Sequence, residues 1–184
     1  MKVKVIEEAG HNSALLGLSL NFNSNIEKMP KTLKGLSKQP RDSHSKVMRM
    51  MQVWIDITAP RYFYQQFDQY KVSTVSSSES TMNTLWKRDL TQDDFEYNIP
   101  KPLILRLNMV LRSVRKDKSQ LHKLKVILPE GFLQRRIILL NYTVIKNMIA
   151  DRHNHKLVEW QYFCENIVDQ LEYPELLPEF KEKR

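Results

Sequence analysis

The sequence predicts a mixed α/β (α+β) fold: a curved antiparallel sheet flanked by long helices. Two kinds of pattern predict it. Residues 52–58 and 134–140 are short runs rich in β-branched and apolar residues, of strand length (Val53, Trp54, Ile55, Ile57; Ile137 to Leu140). Residues 103–114 and 160–171 instead repeat apolar side chains at helical spacing: Leu103, Leu107, Val110, Leu111, Val114, then Trp160, Phe163, Cys164, Ile167, Val168, Leu171. At 184 residues the chain is long enough for one domain with a real core. Residues 1–173 are read as that domain, and 174–184 as a C-terminal arm or disordered tail.

The elements follow in order. Val3-Lys4-Val5-Ile6 is a short first strand. A helix follows from Asn12 or Ser13, with Leu15, Leu16 and Leu18 inside. Residues 23–43 are polar, hold Pro30 and Pro40, and read as a helix with loops. Ser43 is positioned to cap a helix from His44, in which Val47, Met48 and Met51 recur as a core stripe. After the strand at 52–58, Thr58 and Pro60 open a helix carrying Tyr62, Phe63, Tyr64 and Phe67, an aromatic face expected in the core. Residues 70–76 are strand-like, 76–84 a Ser/Thr-rich loop or lid with a helix after it, and 86–98 a surface connection. The helix from Pro102 ends at a basic break (Arg115, Lys116, Lys118), and a short helix runs on to Leu128. Beyond the strand at 134–140, residues 143–152 form a helix with Val144, Ile145, Met148 and Ile149 inward.

Composition narrows the chemistry. No apolar run approaches the roughly 20 residues that cross a bilayer. The N-terminus has a basic start and no apolar h-region, so a cytoplasmic protein is expected. Cys164, the one cysteine, excludes an intrachain disulfide and any CxxC site. With four glycines and no P-loop, GxGxxG, HExxH or GxSxG, the usual phosphate and hydrolase motifs are missing. The net charge of +8 favours phosphate-bearing partners, while its spread along the chain argues against a simple DNA clamp. His153-Asn154-His155 spells HNH, but that nuclease motif needs its residues on separated ββα elements. His153, His155 and Glu159 have a spacing that could converge on a metal; solvated histidines are the expected reading, so no metal site is assigned.

The last third carries the most specific pattern: Leu128-Pro129, then Asn141, Asn147 and Arg152, or L-P-x(11)-N-x(5)-N-x(4)-R. In this order, with Val3 to Phe22, Ser43-His44-Ser45 and Ile57 to Phe67 ahead of it, the chain resembles the flavin-dependent thymidylate synthases. The resemblance runs along most of the chain and implies their fold, FAD as cofactor, a pyrimidine deoxynucleotide as substrate, and a homotetramer with sites shared between subunits. It would place His44, Tyr70, Lys71 and Asn147 on the flavin, and Ser80, Arg135 and Arg152 on the nucleotide.

The family signature, R-H-R-x(7)-S-x-R, is not kept. The aligned stretch reads Gln69-Tyr70-Lys71, with Glu79 in the serine position between Ser78 and Ser80, and Thr81-Met82 where an arginine should follow. Thr143 stands where the family has a second phosphate-binding arginine. A dianionic phosphate is held best by the bidentate fork of a permanently charged guanidinium, and Lys71 keeps charge without that geometry. Arg135 and Arg136 are adjacent on one strand and face opposite ways, so at most one can substitute. Tyr70 keeps a flat ring able to stack.

Two readings follow. The chain is a divergent flavoenzyme of the thymidylate synthase type, or a noncatalytic descendant that uses the fold as a nucleic-acid- or protein-binding module. A phage or mobile-element origin would suit either.

Overall fold

A computed structural model describes residues 1–39 and 45–179. Four strands, β1 (Lys2–Ala9), β2 (Gln52–Pro60), β3 (Val75–Ser78) and β4 (Leu133–Asn141), form one sheet in the order β1-β2-β4-β3, with every pair antiparallel. The expected helix-and-antiparallel-sheet architecture is therefore present. Val53, Ile55 and Ile57 of β2 alternate inward and stack with Ile138 and Leu140 of β4, all fully buried. A register shift between Val5 and Glu7 is the kind of irregularity that bends a strand, here at the β1 edge. The turn out of β1 requires glycine. Gly10 sits at φ +92°, and a Cβ there would lie 2.1 Å from the Met50 carbonyl oxygen.

Helices α1 (His11–Phe22), α2 (Met29–Ser37), α3 (Arg61–Phe67), α7 (Tyr142–Arg152) and α8 (Val158–Val168) contribute to the main core together with the inner face of the sheet. Its centre is aromatic: Trp160 lies 4.6 Å from Phe63 and stacks on Phe67 at 6.0 Å, with Phe163 edge-on. A second, smaller core occupies the segment between β3 and β4. There α4 (Thr81–Thr84), α5 (Lys101–Lys116) and α6 (Leu121–Ile127) gather around Leu90, Phe95, Leu107, Leu111, Val114 and Leu124. This lobe is tied to the rest by Glu96 N–H donating to Gly131 O and by the Tyr97 hydroxyl donating to Glu159.

The sequence expectations fail in places. Residues 70–74 are not strand. Ser73 turns through the left-handed region (φ 61°), so pairing starts only at Val75. The expected lid at 76–84 is instead the edge strand β3 followed by one helical turn. The 86–98 connection is not all surface, because Leu90, Asp94 and Phe95 are buried. The helix expected from His44 is, over its described part, mainly a tight 3-10 segment at Lys46–Met50; Ser43 and His44 lie outside the described residues. Apart from these differences, Pro174–Leu176 form a 3-10 turn, and Leu176 and Leu177 pack in the main core. Met48 and Met51 are core residues, as their spacing predicts.

Candidate functional site

The end of β4 leads straight into α7. Asn141 caps this helix, its side-chain oxygen accepting from Val144 N–H at 3.0 Å. The Asn141 amide nitrogen and the Thr143 hydroxyl are buried without a hydrogen-bond partner among the described residues. Lys146 is also buried and donates to the Gln39 carbonyl at 2.8 Å. The first turns of α7 thus face inward, and only the far end approaches solvent.

Arg152 closes that far end. Its Nε donates to the Tyr70 hydroxyl at 3.0 Å and one terminal nitrogen donates to Gln66 Oε1 at 3.3 Å. The guanidinium lies 5.3 Å from the Trp160 ring centre and 5.8 Å from that of Tyr70. Gln66 Oε1 also accepts from the Trp160 indole at 3.0 Å, and Tyr70 donates onward to Asp151 at 3.2 Å. Burial pushes the Tyr70 phenol up, and the hydrogen bond from Arg152 pulls it back. Residues 82 positions apart therefore meet in one polar corner. Asn147 is half-buried on the same line of α7 as Asp151, one turn earlier, and Lys71 is exposed beside Tyr70.

The other expected residues do not join this corner. Glu79 N–H donates to Arg135 O, which places Ser80 and Arg135 at the opposite end of the β3–β4 ladder. At about 3.3 Å per residue, β3 alone separates the groups by roughly 10–13 Å. Arg135 is held by Asp56, its Nε to Oδ1 at 2.8 Å and a terminal nitrogen to Oδ2 at 2.5 Å. The Arg135 hydrogen bond holds the Asp56 carboxyl below the usual carboxylate range. A shallow depression of about 520 Å³ lies beside it, lined by Ser77, Ser78, Glu79, Arg135 and Ile137. Arg136 faces the other way, 3.8 Å over the Tyr64 ring and bonded to Asp68 at 2.8 Å. Ser80 is half-buried, and its carbonyl accepts from Asn83 and Thr84 at the start of α4.

His153, His155 and Glu159 do not converge. His153 Nδ1 contacts the Ile149 carbonyl, His155 Nδ1 accepts from Leu157 N–H, and Glu159 takes hydrogen bonds from Tyr62 and Tyr97. Among the described residues no three His, Cys, Asp or Glu side chains are grouped to hold a metal. No helix among them is long and apolar enough to cross a membrane.

Sequence reasoning missed Gln66, Asp151 and Asp56, whose roles depend on tertiary contact. Asp56 did carry a signal, since its place in the alternation of β2 puts it on the same face as Arg135, across the ladder.

No family model and no curated protein matches the chain. Solved structures do. The flavin-dependent thymidylate synthase ThyX from Helicobacter pylori, complexed with FAD and dUMP, superposes with a TM-score of 0.80 over 96% of this chain and 98% of its own, at 15% identity. The fold is ThyX-like. A second Helicobacter pylori ThyX structure with FAD and dUMP gives a TM-score of 0.78, covering 95% of each chain at 14% identity. At such identities the likeness establishes architecture alone.

Proposed function

We propose that the chain binds a flat heteroaromatic ligand, a flavin and/or a pyrimidine deoxynucleotide, against the Tyr70–Arg152 corner, with a much weakened hold on phosphate. The contact between Tyr70 and Arg152 carries this reading. It joins the ring that replaces the signature histidine to the arginine expected on the base. The presence of FAD and dUMP in the structural neighbours supports it.

The residues fit the ring part of such a ligand. Tyr70 offers a half-buried ring, Arg152 a planar donor, and Asn147 a neighbouring amide. They fit the phosphates poorly, because Arg135 and Arg136 are each committed to an aspartate and Lys71 provides only a point charge. When bound, a flavin would supply the hydride chemistry, and this chain's residues would orient the ring and exclude water. Because Ser80 and Arg135 are remote from the corner within one chain, a homo-oligomer with shared sites, as the resemblance implies, is the arrangement that would reunite them.

Titrating the purified protein with FAD while following flavin absorption and fluorescence tests the reading. Saturable binding that Tyr70→Ala and Arg152→Ala weaken is expected; no binding of FAD or of deoxyuridine monophosphate would overturn it. The same aspartate–arginine pairs favour a second reading, a noncatalytic module. Under that reading no thymidylate forms even from the flavin-loaded protein.

A further inference from the structure

The chain's positive charge is not distributed as its sequence spread implies. Residues 101–127, which form the α5–α6 hairpin, carry eight of the 29 Lys/Arg residues but only one of the 21 Asp/Glu residues, Asp117. The remainder of the chain is balanced to within one charge. Elsewhere the structure neutralises four of its arginines: Arg61 pairs with Glu130, Arg88 with Asp94, Arg135 with Asp56 and Arg136 with Asp68. On the hairpin, Arg112 and Arg115 share the single carboxylate of Asp89. Lys101, Arg106, Lys116 and Lys123 are exposed and form no ion pair among the described residues.

These cations are ordered along a rigid element. Helical geometry places Lys101, Arg112 and Lys116 within about 60° of one another on the outer side of α5, with Arg106 flanking them. From Lys101 to Lys116 this row is about 22 Å long at 1.5 Å per residue. Lys118 extends it past the turn, held 4.3 Å over the Trp86 ring.

We infer that the α5–α6 hairpin is a docking surface for the phosphate backbone of a nucleic acid, read by charge and not by sequence. An extended row of exposed cations, in which only Arg112 is ion-paired among the described residues, on a chain of pI about 9.5 is the footprint such a polymer requires. An anionic membrane would attract the same charge, but a helix that lies on lipid needs a free apolar stripe. Here that stripe is already consumed, since Leu107, Leu111, Val114, Leu121 and Leu124 are buried in the lobe's own core. The exposed apolar residues, Leu103, Leu105, Met109, Val126 and Ile127, are aliphatic and interrupted by cations. The surface is separate from the Tyr70–Arg152 corner and does not depend on a ligand there.

Fluorescence anisotropy of labelled 20-mers, duplex and single-stranded, with the full chain tests this. If four to six phosphates are contacted, affinity for the duplex falls about 10²–10³-fold between 50 and 200 mM salt. Reversal of Lys101, Arg106, Lys116 and Lys123 to Glu is expected to reduce binding at 100 mM salt by at least about tenfold, with flavin titration unchanged. If reversal unfolds the lobe by circular dichroism, the Gln versions should show a smaller loss in the same direction. The control reverses four exposed lysines elsewhere, Lys2, Lys31, Lys34 and Lys156. An equal loss in the control, no detectable binding at 50 mM salt, or tighter binding to phosphatidylserine vesicles than to either 20-mer would overturn the inference.

Discussion

Arg152 and Tyr70 form the joint on which the candidate site turns, and a double-mutant cycle measures it. Tyr70→Phe removes the hydroxyl that accepts from Arg152 at 3.0 Å and donates to Asp151 at 3.2 Å, while leaving the ring. Arg152→Ala removes that bond, the 3.3 Å bond to Gln66, and the guanidinium near the faces of Trp160 and Tyr70. A charge-assisted hydrogen bond is worth about 1.5–3 kcal/mol at most, and half-exposure of both partners lowers it to about 1. The two ring contacts add about 1 kcal/mol together at such partly exposed positions. Arg152→Ala should therefore cost about 2 kcal/mol, Tyr70→Phe about 1, and the double mutant less than their sum by about 1. Gln66 keeps its bond from the Trp160 indole, so the buried aromatic centre is expected to survive both changes. Urea unfolding followed by tryptophan fluorescence reads all four corners of the cycle. A coupling within about 0.3 kcal/mol of zero would show that the contact carries no energy and would remove the basis for a preorganised corner.

Three further outcomes follow. Asp56 has its folded-state carboxyl depressed by Arg135, so its contribution is present above the unfolded carboxylate range and lost as pH falls through the lower folded value; Asp56→Asn should flatten the loss of stability in acid, measured by denaturation at stepped pH. Tyr97 is raised by burial and by its bond to Glu159, so that contribution is full below about pH 10 and fades above it. Tyr97→Phe should accordingly loosen the α5–α6 lobe, read as faster amide exchange there, and reduce the alkaline sensitivity. Cys164 is fully buried, with its thiol pushed up to about 12 by burial, so a thiol reagent should leave the native protein unlabelled and react at once in urea.

Periodicity made the architecture legible. The inward alternation of Val53, Ile55 and Ile57, the Trp160 to Ile167 stripe and the Met48–Met51 pair all lie in the main core, because burial of one face is what such spacing encodes. What escaped was set by features without a period. One left-handed residue, Ser73, converts an apparent strand into a turn, and a four-residue edge strand is too short for β-propensity to mark. The 103–114 stripe marked one wall of the second core, but its partners Leu90 and Phe95 lie in a connection that looks surface-like alone, so the core they complete was hidden.

The site was readable only in part. Two residues singled out in the sequence, Tyr70 and Arg152, are in contact, and strand alternation anticipated that Arg135 and Arg136 face apart. Of the partners that occupy those arginines, Asp56 was marked by the alternation of β2, while Gln66 and Asp68 come from distant positions that no local pattern marks. His44 lies outside the described residues.

The most direct test is calorimetric and spectroscopic titration of the purified protein with FAD and with deoxyuridine monophosphate. The account predicts saturable FAD binding sensitive to Tyr70 and Arg152. It also predicts that the nucleotide binds about 10²–10⁴-fold more weakly than to a protein retaining both phosphate arginines, at roughly 1.5–3 kcal/mol for each lost contact. Binding of neither FAD nor the nucleotide, or micromolar nucleotide affinity unaffected by Arg152→Ala, would contradict it.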